Sequence, residues 1–451
     1  MSNNTELNNN LLDKIINLIN SQNTNKLSTV IHSLHFADIA EIIENLSVKN
    51  AQKLFKLIHE DQKSASVLAE LQDDTRKKII ETLSSKEIAE NIINKLASDD
   101  AVDVLNELSD AKRKEVLSFL QNKDDVKKIQ DLLLYSSDSA GGLMAKELIK
   151  VNENWSILQC LKEMRKQAES VKNVYTIYVV NDDNILLGSM SLRKLLITKK
   201  NTSIKDIINK NIISVKPSDT NESVANLMQK YNLVAIPVVD RKSRLIGRIT
   251  VDDVMDIVKE EAEKDYQMAS GLIEDIELSD SILENTRARI PWLIIGVFGG
   301  LFGAKLIDLF DLSSSNIELA FFIPLIAAMG GNVGVQSAAI VVQGLANETL
   351  KTKSIASKLL KEIKVSLING LICSIIILSS TLLIGYSSQL SITVSISLLA
   401  VIIFAAFFGT FVPLVLNKYK IDPALATGPF ITTINDIFGL LIYFFIGLAI
   451  L

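Results

Sequence analysis

The sequence DPALATGPFITTINDIFG, residues 422–439, places Asp436 near the middle of an apolar segment long enough to cross a bilayer. An ionised aspartate at the centre of a membrane helix costs about 2.5–3.5 kcal/mol on insertion scales, so this side chain is expected to face a polar interior. The preceding Gly428-Pro429 predicts a kink that opens backbone carbonyls. The alternative is that Asp436 only caps a neighbouring helix.

A second glycine-rich stretch, PLIAAMGGNVGVQS at residues 324–337, lies in another apolar segment. The adjacent Gly330 and Gly331, followed by Asn332, predict a weakened or broken helix at bilayer depth. Freed carbonyls and the side chains of Asn332 and Gln336 would supply oxygen donors suited to a hydrated hard cation. A polar contact between helices is the alternative.

Charge-free apolar runs in residues 290–451 exclude a wholly soluble protein, although 22% of the 451 residues are charged. Lys- and Arg-rich loops alternate with non-basic ones, which predicts a multi-pass protein of the cell membrane with a cytoplasmic N-terminus and an extracytoplasmic C-terminus. Asp422, roughly 21 Å before Asp436 at helical rise, would lie at the cytosolic mouth. Five spans are predicted: Ile290–Phe310, Leu319–Leu345, Val365–Tyr386, Ile392–Leu416 and Pro423–Leu451.

Several classes of function do not fit the composition. The net charge of −5 is concentrated in the first 289 residues, so a basic nucleic-acid binder is not expected. The two cysteines, Cys160 and Cys373, lie in different halves and do not support a disulfide framework. The sequence has no nucleophile–base constellation, P-loop or metal-hydrolase histidine motif, so we expect neither an enzyme nor ATP-driven transport by this chain.

The soluble half begins with a helical region, residues 1–135. Apolar residues recur at three-to-four spacing in three similar phrases, which begin at Leu34, Leu83 and Leu96. Repetition of such phrases predicts a stack of short helices, a small solenoid.

Residues 136–200 and 201–258 repeat a strand–turn–strand–helix unit. Val179-Val180 aligns with Val238-Val239, and the same offset aligns Gly188 with Gly247. This internal duplication resembles a tandem pair of CBS domains, a fold that commonly pairs into a disc and is known to accept adenine nucleotides. Residues 259–289 are polar and helix-compatible, and they predict a connector helix that leads to the first span.

The order of these parts, together with SAGGLM at residues 139–144, TVDDVMD at 250–256 and the two glycine-rich membrane stretches, resembles the MgtE family of magnesium channels and transporters. The resemblance implies a multidomain α + α/β + membrane fold: a helical solenoid N-domain, tandem CBS domains, a connector (plug) helix and a five-helix transmembrane domain. It also implies a homodimer in the lipid bilayer, with an ion path lined by the second and fifth spans. The pore residues so implied are Asp436, which would hold hydrated Mg²⁺, with Asn332, Gly330, Gly331, Gln336, Thr432 and Thr433.

The family further implies a magnesium sensor built from acidic surfaces of the cytosolic domains. Regulatory Mg²⁺ would bridge these surfaces, pull in the connector and close the pore, and ATP is an additional candidate ligand of the CBS domains. A solvated acidic face is the alternative for any one of these residues. The matching positions are Asp99, Asp103, Glu222, Asp253, Asp256, Glu261, Asp265 and Asp422.

Two positions depart from the family pattern, because Asn232 and Lys264 stand where acidic residues are expected. Both reduce the local negative charge and predict a looser or shifted magnesium threshold. Other functions stay open: a coupled exchanger, a carrier of another divalent cation such as Co²⁺, and a CBS-based membrane sensor that transports nothing.

Overall fold

The computed structural model describes residues 2–21, 23–58, 61–171, 173–199, 202–272, 276, 281–310, 317–346, 355–426 and 428–450. They divide into two compact units, Met1–Val258 and Lys259–Leu451. Short helices come first, two strand-containing units follow, and five long apolar helices end the chain. The expected fold class is therefore confirmed.

Short helices of the N-terminal region pack in succession. Helix α3 packs on α5, α4 on α6, α7 on α9 and α8 on α10, so each helix contacts the one two places later, as in a solenoid. A π-helical turn, Ile88–Ile92, extends α7. The bounds are α1 Ser2–Asn20, α2 Thr24–Ser33, α3 Phe36–Glu44, α4 Val48–Phe55, α5 Asp61–Glu70, α6 Asp73–Ile80, α7 Ser85–Glu87, α8 Ser98–Asn106, α9 Asp110–Phe119 and α10 Lys123–Leu132.

The next region contains two small sheets with short helices around them. Strands β1, β2 and β3 form one sheet in that order, and β4 pairs with β5 in the other. The bounds are α11 Ala140–Leu143, β1 Ile149–Asn152, α12 Ile157–Gln167, β2 Ile177–Val180, β3 Leu186–Met190, α13 Leu192–Ile197, α14 Ile204–Ile207, α15 Asn221–Tyr231, β4 Ala235–Val239 and β5 Leu245–Thr250.

The strand register confirms the internal duplication. Val179 lies opposite Gly188 in the first hairpin, Val238 lies opposite Gly247 in the second, and each ladder shifts register at the next residue. The hairpin ends bond to each other in equivalent ways, because Leu186 N donates to Ser243 O at 2.9 Å and Leu245 N donates to Asn184 O at 3.0 Å. The two duplicated strand units are therefore related by an approximate two-fold axis.

Each unit shares its core with a segment from elsewhere in the chain. Met144 packs in the same core as β4 and the N-terminal helices, and Ala145 N donates to Arg248 O at 2.8 Å. Ile204 and Ile207 pack instead with β1 and β2 of the first unit. The duplicated units are thus joined by exchanged segments as well as by their hairpins.

Helix α16, Val251–Ala269, follows β5 directly and supplies the first part of the expected connector. The expected helix through residues 259–289 is wrong as a single element, because α16 ends at Ala269 and a new helix begins at Ile282. Two local signals explain the interruption: Gly271 has a left-handed backbone after α16, and Ser281 forms a capping box with Glu284.

Five helices are long and apolar enough to cross a membrane. Four begin earlier than expected, those that start at Ile282 and Ile355 by the largest margin. Lys358, Lys361 and Lys364 therefore lie in the first three turns of the helix Ile355–Ile384 instead of in a basic loop before the third span. Lysine is a good helix former and its long side chain reaches the membrane surface, so charge alone does not end a helix. The bounds are α17 Ile282–Leu309, α18 Ile317–Ala320 with α19 Ile323–Ala346, α20 Ile355–Ile384, α21 Ser388–Lys418 and α22 Gly428–Ile450.

The expected break in the second span is also wrong, because α19 is a continuous helix through Gly330, Gly331 and Gly334. These glycines are buried against neighbouring helices: a Cβ added to Gly330 would lie 3.2 Å from Val401 Cγ1 of α21. Because glycines are small, they let the neighbouring helices pack closely, and this packing stabilises a helix that the low helix propensity of glycine would otherwise weaken. Pro429 likewise makes no mid-helix kink, since it lies in the first turn of α22, where proline is tolerated.

Candidate functional site

Helix α22 presents Asp436 to the glycines of α19. A Cβ added to Gly331 would lie 3.0 Å from Thr432 Cγ2 and 3.9 Å from Asp436 Oδ1. The missing side chain lets the backbone of α19 approach the carboxylate. Gly330, Gly331, Thr432 and Asp436, all expected from the sequence as pore residues, are therefore brought together.

Thr432 and Thr433 face different neighbours. Thr432 Oγ1 donates to Gly428 O and Thr433 Oγ1 donates to Pro429 O, each at 2.7 Å. The methyl group of Thr433 lies against Gly299 of α17, whereas that of Thr432 lies against α19. Of the two threonines, Thr432 therefore lies on the same face of α22 as Asp436, toward α19.

Asn332 and Gln336 lie on another side of α19. Both side chains are exposed in the single chain, whereas Gly330, Gly331 and Gly334 are buried against α21 and α22. Asn332 and Gln336 are four residues apart and share a helix face. Two polar side chains therefore lie on a surface of a membrane helix that this chain does not cover.

Asn435 is a site residue that the sequence analysis did not single out. It is 1% exposed, and neither its Oδ1 nor its Nδ2 has a hydrogen-bond partner within the described part of the chain. Its amide lies against Gly334, whose added Cβ would overlap Nδ2. An asparagine directly before a membrane aspartate was the available signal, because polar groups at that depth are expensive.

In the first compact unit, Met1–Val258, helix α8 carries two of the expected regulatory acids, Asp99 and Asp103. Burial raises the pKa of Asp99 well above its usual range, and the nearby carboxylates of Asp100 and Asp253 raise it further. Surrounding protein atoms raise the pKa of Asp103 to about 6, and Asp253 contributes in the same direction. The structure therefore brings Asp99, Asp103 and Asp253 into one electrostatic group.

Two hydrogen-bonded supports hold this group. Asp253 Oδ2 accepts from Thr250 N at 3.0 Å and from Thr250 Oγ1 at 2.7 Å, yet burial leaves its pKa raised. Glu147, which the sequence analysis missed, accepts from Ser98 N at 3.1 Å and from Ser98 Oγ at 2.7 Å. Glu147 thereby fixes the N-terminus of the helix that carries Asp99 and Asp103.

Arg76 and Glu107 form a buried ion pair beside this group. Arg76 Nε lies 2.6 Å from Glu107 Oε1, and both side chains are less than one-sixth exposed. Burial raises the pKa of Glu107 to about 7, against the opposing effect of Arg76. Glu107 Oε2 is buried and has no hydrogen-bond partner among the described residues, and the nearby Asp103 carboxylate raises the pKa of Glu107 further.

The other expected regulatory residues are more open. Glu222 lies in the first turn of α15 and Asp256 lies on α16, both exposed. In the second compact unit, Lys259–Leu451, Glu261 and Asp265 lie one turn apart on α16. Asp422 Oδ1 accepts a hydrogen bond from Ala424 N at 2.8 Å.

Among all described residues, no group of three or more His, Cys, Asp or Glu side chains is arranged to hold one metal ion. The close carboxylates of Asp99 and Asp253 nevertheless suit a divalent cation bound partly through water, because a cation would relieve their mutual repulsion. Mg²⁺ commonly binds through one or two carboxylates and keeps several waters. The residues present therefore fit such an ion.

The departures at Asn232 and Lys264 have different structural settings. Asn232 ends α15 with a left-handed backbone, φ 50°, and its N–H bonds to the last carbonyls of the helix. Asparagine tolerates this conformation better than most residues. Lys264 is exposed on α16. Asn232 thus has a conformational role that an argument from charge alone overlooks.

Three family profiles match the chain: the MgtE divalent cation transporter domain at residues 323–446, the MgtE intracellular N domain at 34–138, and CBS domains at 140–198 and 204–260. The magnesium transporter MgtE of Bacillus subtilis is 32% identical over 440 residues, which cover 97% of each chain. The chain belongs to the MgtE family. Two other MgtE magnesium transporters, from Enterococcus faecalis and Thermus thermophilus, are 34% and 33% identical over 71% and 70% of this chain and 71% of each relative.

Two solved structures resemble more than half of the chain. The soluble part of a magnesium transporter gives a TM-score of 0.50 at 27% identity, covering 56% of this chain and 99% of that one. The cytosolic domain of the Mg²⁺ channel MgtE in complex with ATP gives 0.51 at 28% identity, covering 55% and 99%. The resemblance to a CBS pair drawn from the sequence is confirmed.

Proposed function

We propose that this multi-pass membrane protein transports Mg²⁺ along a path that passes Asp436. The observation that carries the proposal is the approach of Asp436 Oδ1 to Gly331, which places a carboxylate beside a helix backbone that carries no side chain at that point, within a five-helix membrane unit. The MgtE magnesium transporters that cover most of the chain support the choice of ion.

Mg²⁺ is bound here as cargo and keeps most of its water. It dehydrates reluctantly, so a carboxylate and carbonyl oxygens that contact its hydration shell suit it better than a tight dry cage. Asp436 supplies the charge, and Thr432 supplies hydroxyl lone pairs, since its proton is committed to Gly428 O. An inside-negative potential favours entry by about 4.6 kcal/mol per 100 mV for a divalent ion, at about 2.3 kcal/mol per charge.

The transporting form is a homodimer whose subunits meet along α19. Asn332 and Gln336 are polar and exposed on that helix, and such residues in membrane segments face protein or water rather than lipid. A second copy would cover them and double the number of Asp436 carboxylates around the path. The N-terminus is cytoplasmic and the C-terminus extracytoplasmic, as the positive loops indicate.

Cytosolic Mg²⁺ closes the path by binding between acidic surfaces. Asp253 repels Asp99 and Asp103 in the absence of cations, and the raised pKa values of those two carboxyls reflect first the surrounding protein atoms and then that repulsion. A cation that binds only the closed arrangement stabilises it by its difference in affinity. A switch from mostly open to mostly closed needs about 5.5 kcal/mol, which several weak sites supply jointly.

ATP is proposed as a ligand of the CBS pair. Arg248 of β5 is 7% exposed, its Nε has no hydrogen-bond partner among the described residues, and its guanidinium lies 5.8 Å from the centre of the Tyr175 ring. The nearby hydroxyl of Tyr178 is also buried without a partner. A cation beside an aromatic ring suits a nucleotide, and the related cytosolic domain solved with ATP supports the assignment.

The test is Mg²⁺ flux into proteoliposomes that contain the full-length protein, followed with an entrapped magnesium dye at several Mg²⁺ concentrations on the cytosolic side. The proposal predicts flux that falls as cytosolic Mg²⁺ rises, and it predicts weaker closure in the double variant Asp253→Ala, Asp256→Ala. The absence of flux would overturn the transport assignment. Flux of Co²⁺ without Mg²⁺ would overturn the choice of ion, and unchanged closure in the double variant would overturn the sensor assignment.

A further inference from the structure

The end of α16 packs against the start of α22 through two glycines that have left-handed backbones. Gly271 has φ +84° and Gly428 has φ +47°. A Cβ on Gly271 would lie 2.6 Å from Pro429 Cγ, and a Cβ on Gly428 would lie 2.6 Å from Ala269 O. Real Cβ atoms essentially never approach closer than 3.0 Å, so a side chain at either position forces the two helix ends apart.

The turn at the end of α16 is held in place by its own hydrogen bonds. Leu272 N donates to Gln267 O and Gly271 N donates to Met268 O, each at 3.0 Å, which is the pattern of a Schellman cap. The Gln267 amide then bonds both backbone groups of Ile276, at 3.2 and 3.1 Å. The turn is therefore a fixed surface, so a displacement of α16 is passed to whatever contacts Gly271.

The other side of the contact leads to the proposed ion path. Gly428 O and Pro429 O each accept a hydrogen bond from a hydroxyl group, of Thr432 and Thr433 respectively, at 2.7 Å. Thr432 lies against Gly331, and Gly331 lies beside Asp436 Oδ1. A continuous series of packed and hydrogen-bonded groups thus runs from the end of α16 to the carboxylate.

We propose that this glycine contact, formed by Ala269, Gly271, Gly428 and Pro429, couples the position of α16 to the position of Asp436. The inference rests on the proposed closure by cytosolic Mg²⁺ and names the residues that carry it into the membrane unit. Neither glycine touches the ion in this account, and both are positioning residues.

The experiment measures Mg²⁺ flux in proteoliposomes with the full-length protein while Mg²⁺ on the cytosolic side is varied. Gly271→Ala and Gly428→Ala push the helix ends apart, and Pro429→Ala removes the ring that meets Gly271. The control is Gly385→Ala, since Gly385 also has a left-handed backbone, φ +101°, but an added Cβ meets nothing within 4 Å. The control therefore carries backbone strain without the contact.

We expect each of the three contact variants to retain flux at low Mg²⁺ and to need about tenfold more Mg²⁺ for half-closure, a shift of about 1.4 kcal/mol. Gly385→Ala should close as the wild type does. If the wild type closes and all contact variants close with it, the coupling role is excluded while the proposed function stands. If the wild type fails to transport or close, the proposed function itself fails. Should Gly271→Ala and Gly428→Ala not fold, Pro429→Ala decides the question, because it adds no side-chain atom.

Discussion

Gly334 of α19 lies directly against the side-chain amide of Asn435 in α22. A Cβ added to Gly334 would overlap Asn435 Nδ2 and would lie 2.8 Å from Ile431 Cγ2. The backbone carbonyl of Gly334 is in turn packed against Gly409 of α21, so three helices meet at this point. The distance between α19 and the helix that carries Asp436 is therefore set by a position that accepts only glycine.

Gly334→Ala should destabilise the membrane unit by about 1–3 kcal/mol, because overpacking a tight helix contact forces neighbouring groups to shift. Thermal unfolding of the detergent-solubilised protein measures the change. The matched control is Gly296→Ala on α17, where an added Cβ meets nothing within 4 Å. Equal unfolding temperatures for the two variants would contradict the packing described here.

Asn435→Leu should leave the protein as stable as the wild type or more stable. The substitution replaces a buried amide without partners by an apolar group of similar shape, and an unsatisfied buried polar group costs about 1–3 kcal/mol. Asn435→Asp is the contrasting variant and should destabilise, because it buries a second charge beside Asp436. A large loss of stability in the leucine variant would show that the amide has a partner in the assembled protein.

Ser98→Ala should destabilise the cytosolic unit by about 1–3 kcal/mol, because it leaves the partly buried Glu147 carboxylate short of a donor. It removes the 2.7 Å bond from Ser98 Oγ to Glu147 and the 2.8 Å bond that Lys146 N donates to Ser98 Oγ. The control is Ser66→Ala, since Ser66 Oγ bonds only to a carbonyl of its own helix. Loss of the anchor at the N-terminus of α8 should also raise the Mg²⁺ concentration needed for half-closure. If Ser98→Ala changes neither stability nor half-closure, the role of Glu147 is contradicted.

The cytosolic unit should become less stable as pH rises through the neutral range in the absence of divalent cations. Asp103 and Glu107 have raised pKa values of about 6 and about 7 in the folded protein, so the folded state holds their protons more tightly than the unfolded chain. Their contribution is therefore favourable at about pH 4 and is lost as the pH passes these folded values. Unfolding temperatures with EDTA at about pH 5 and about pH 7.5 measure it.

Two comparisons separate the causes of this pH dependence. Added Mg²⁺ should restore the unfolding temperature at the higher pH, since a cation at Asp99, Asp103 and Asp253 replaces the protons. Glu107→Gln should reduce the pH dependence without abolishing the effect of Mg²⁺. A rise in stability with pH in EDTA would contradict the signs of these pKa shifts.

The sequence predicted the parts of the fold that depend on pattern. Hydrophobic length fixed the five spans approximately, and the repeated unit predicted the paired hairpins, whose register at Val179 and Val238 proved equivalent. Polar residues and glycines in apolar segments marked Asp436 and the α19 glycines as candidate site residues, and the resemblance to the MgtE family implied that they share one path. These features are visible in one dimension because each depends on residue type at a fixed spacing.

The remaining features depend on tertiary contacts. Glycines in α19 predict a broken helix from propensity alone, whereas Val401, Thr432 and Asn435 pack into the space that they leave. The connector ends at Ala269 because of a glycine cap that meets Pro429, a residue far away in the sequence. Glu147 accepts a hydrogen bond from Ser98, which lies 49 residues earlier in the chain. No local pattern reveals such partners.

Mg²⁺ flux in proteoliposomes through Asp436→Asn, measured beside the wild type and Asp308→Asn, tests most directly whether the ion passes Asp436. Asp308 is another acid of a membrane helix, but it is exposed and paired with Lys305 at 2.6 Å. We predict that Asp436→Asn loses Mg²⁺ flux at least about tenfold, as removal of the charge at the path requires, while Asp308→Asn transports as the wild type does. Wild-type flux through folded Asp436→Asn would contradict the account.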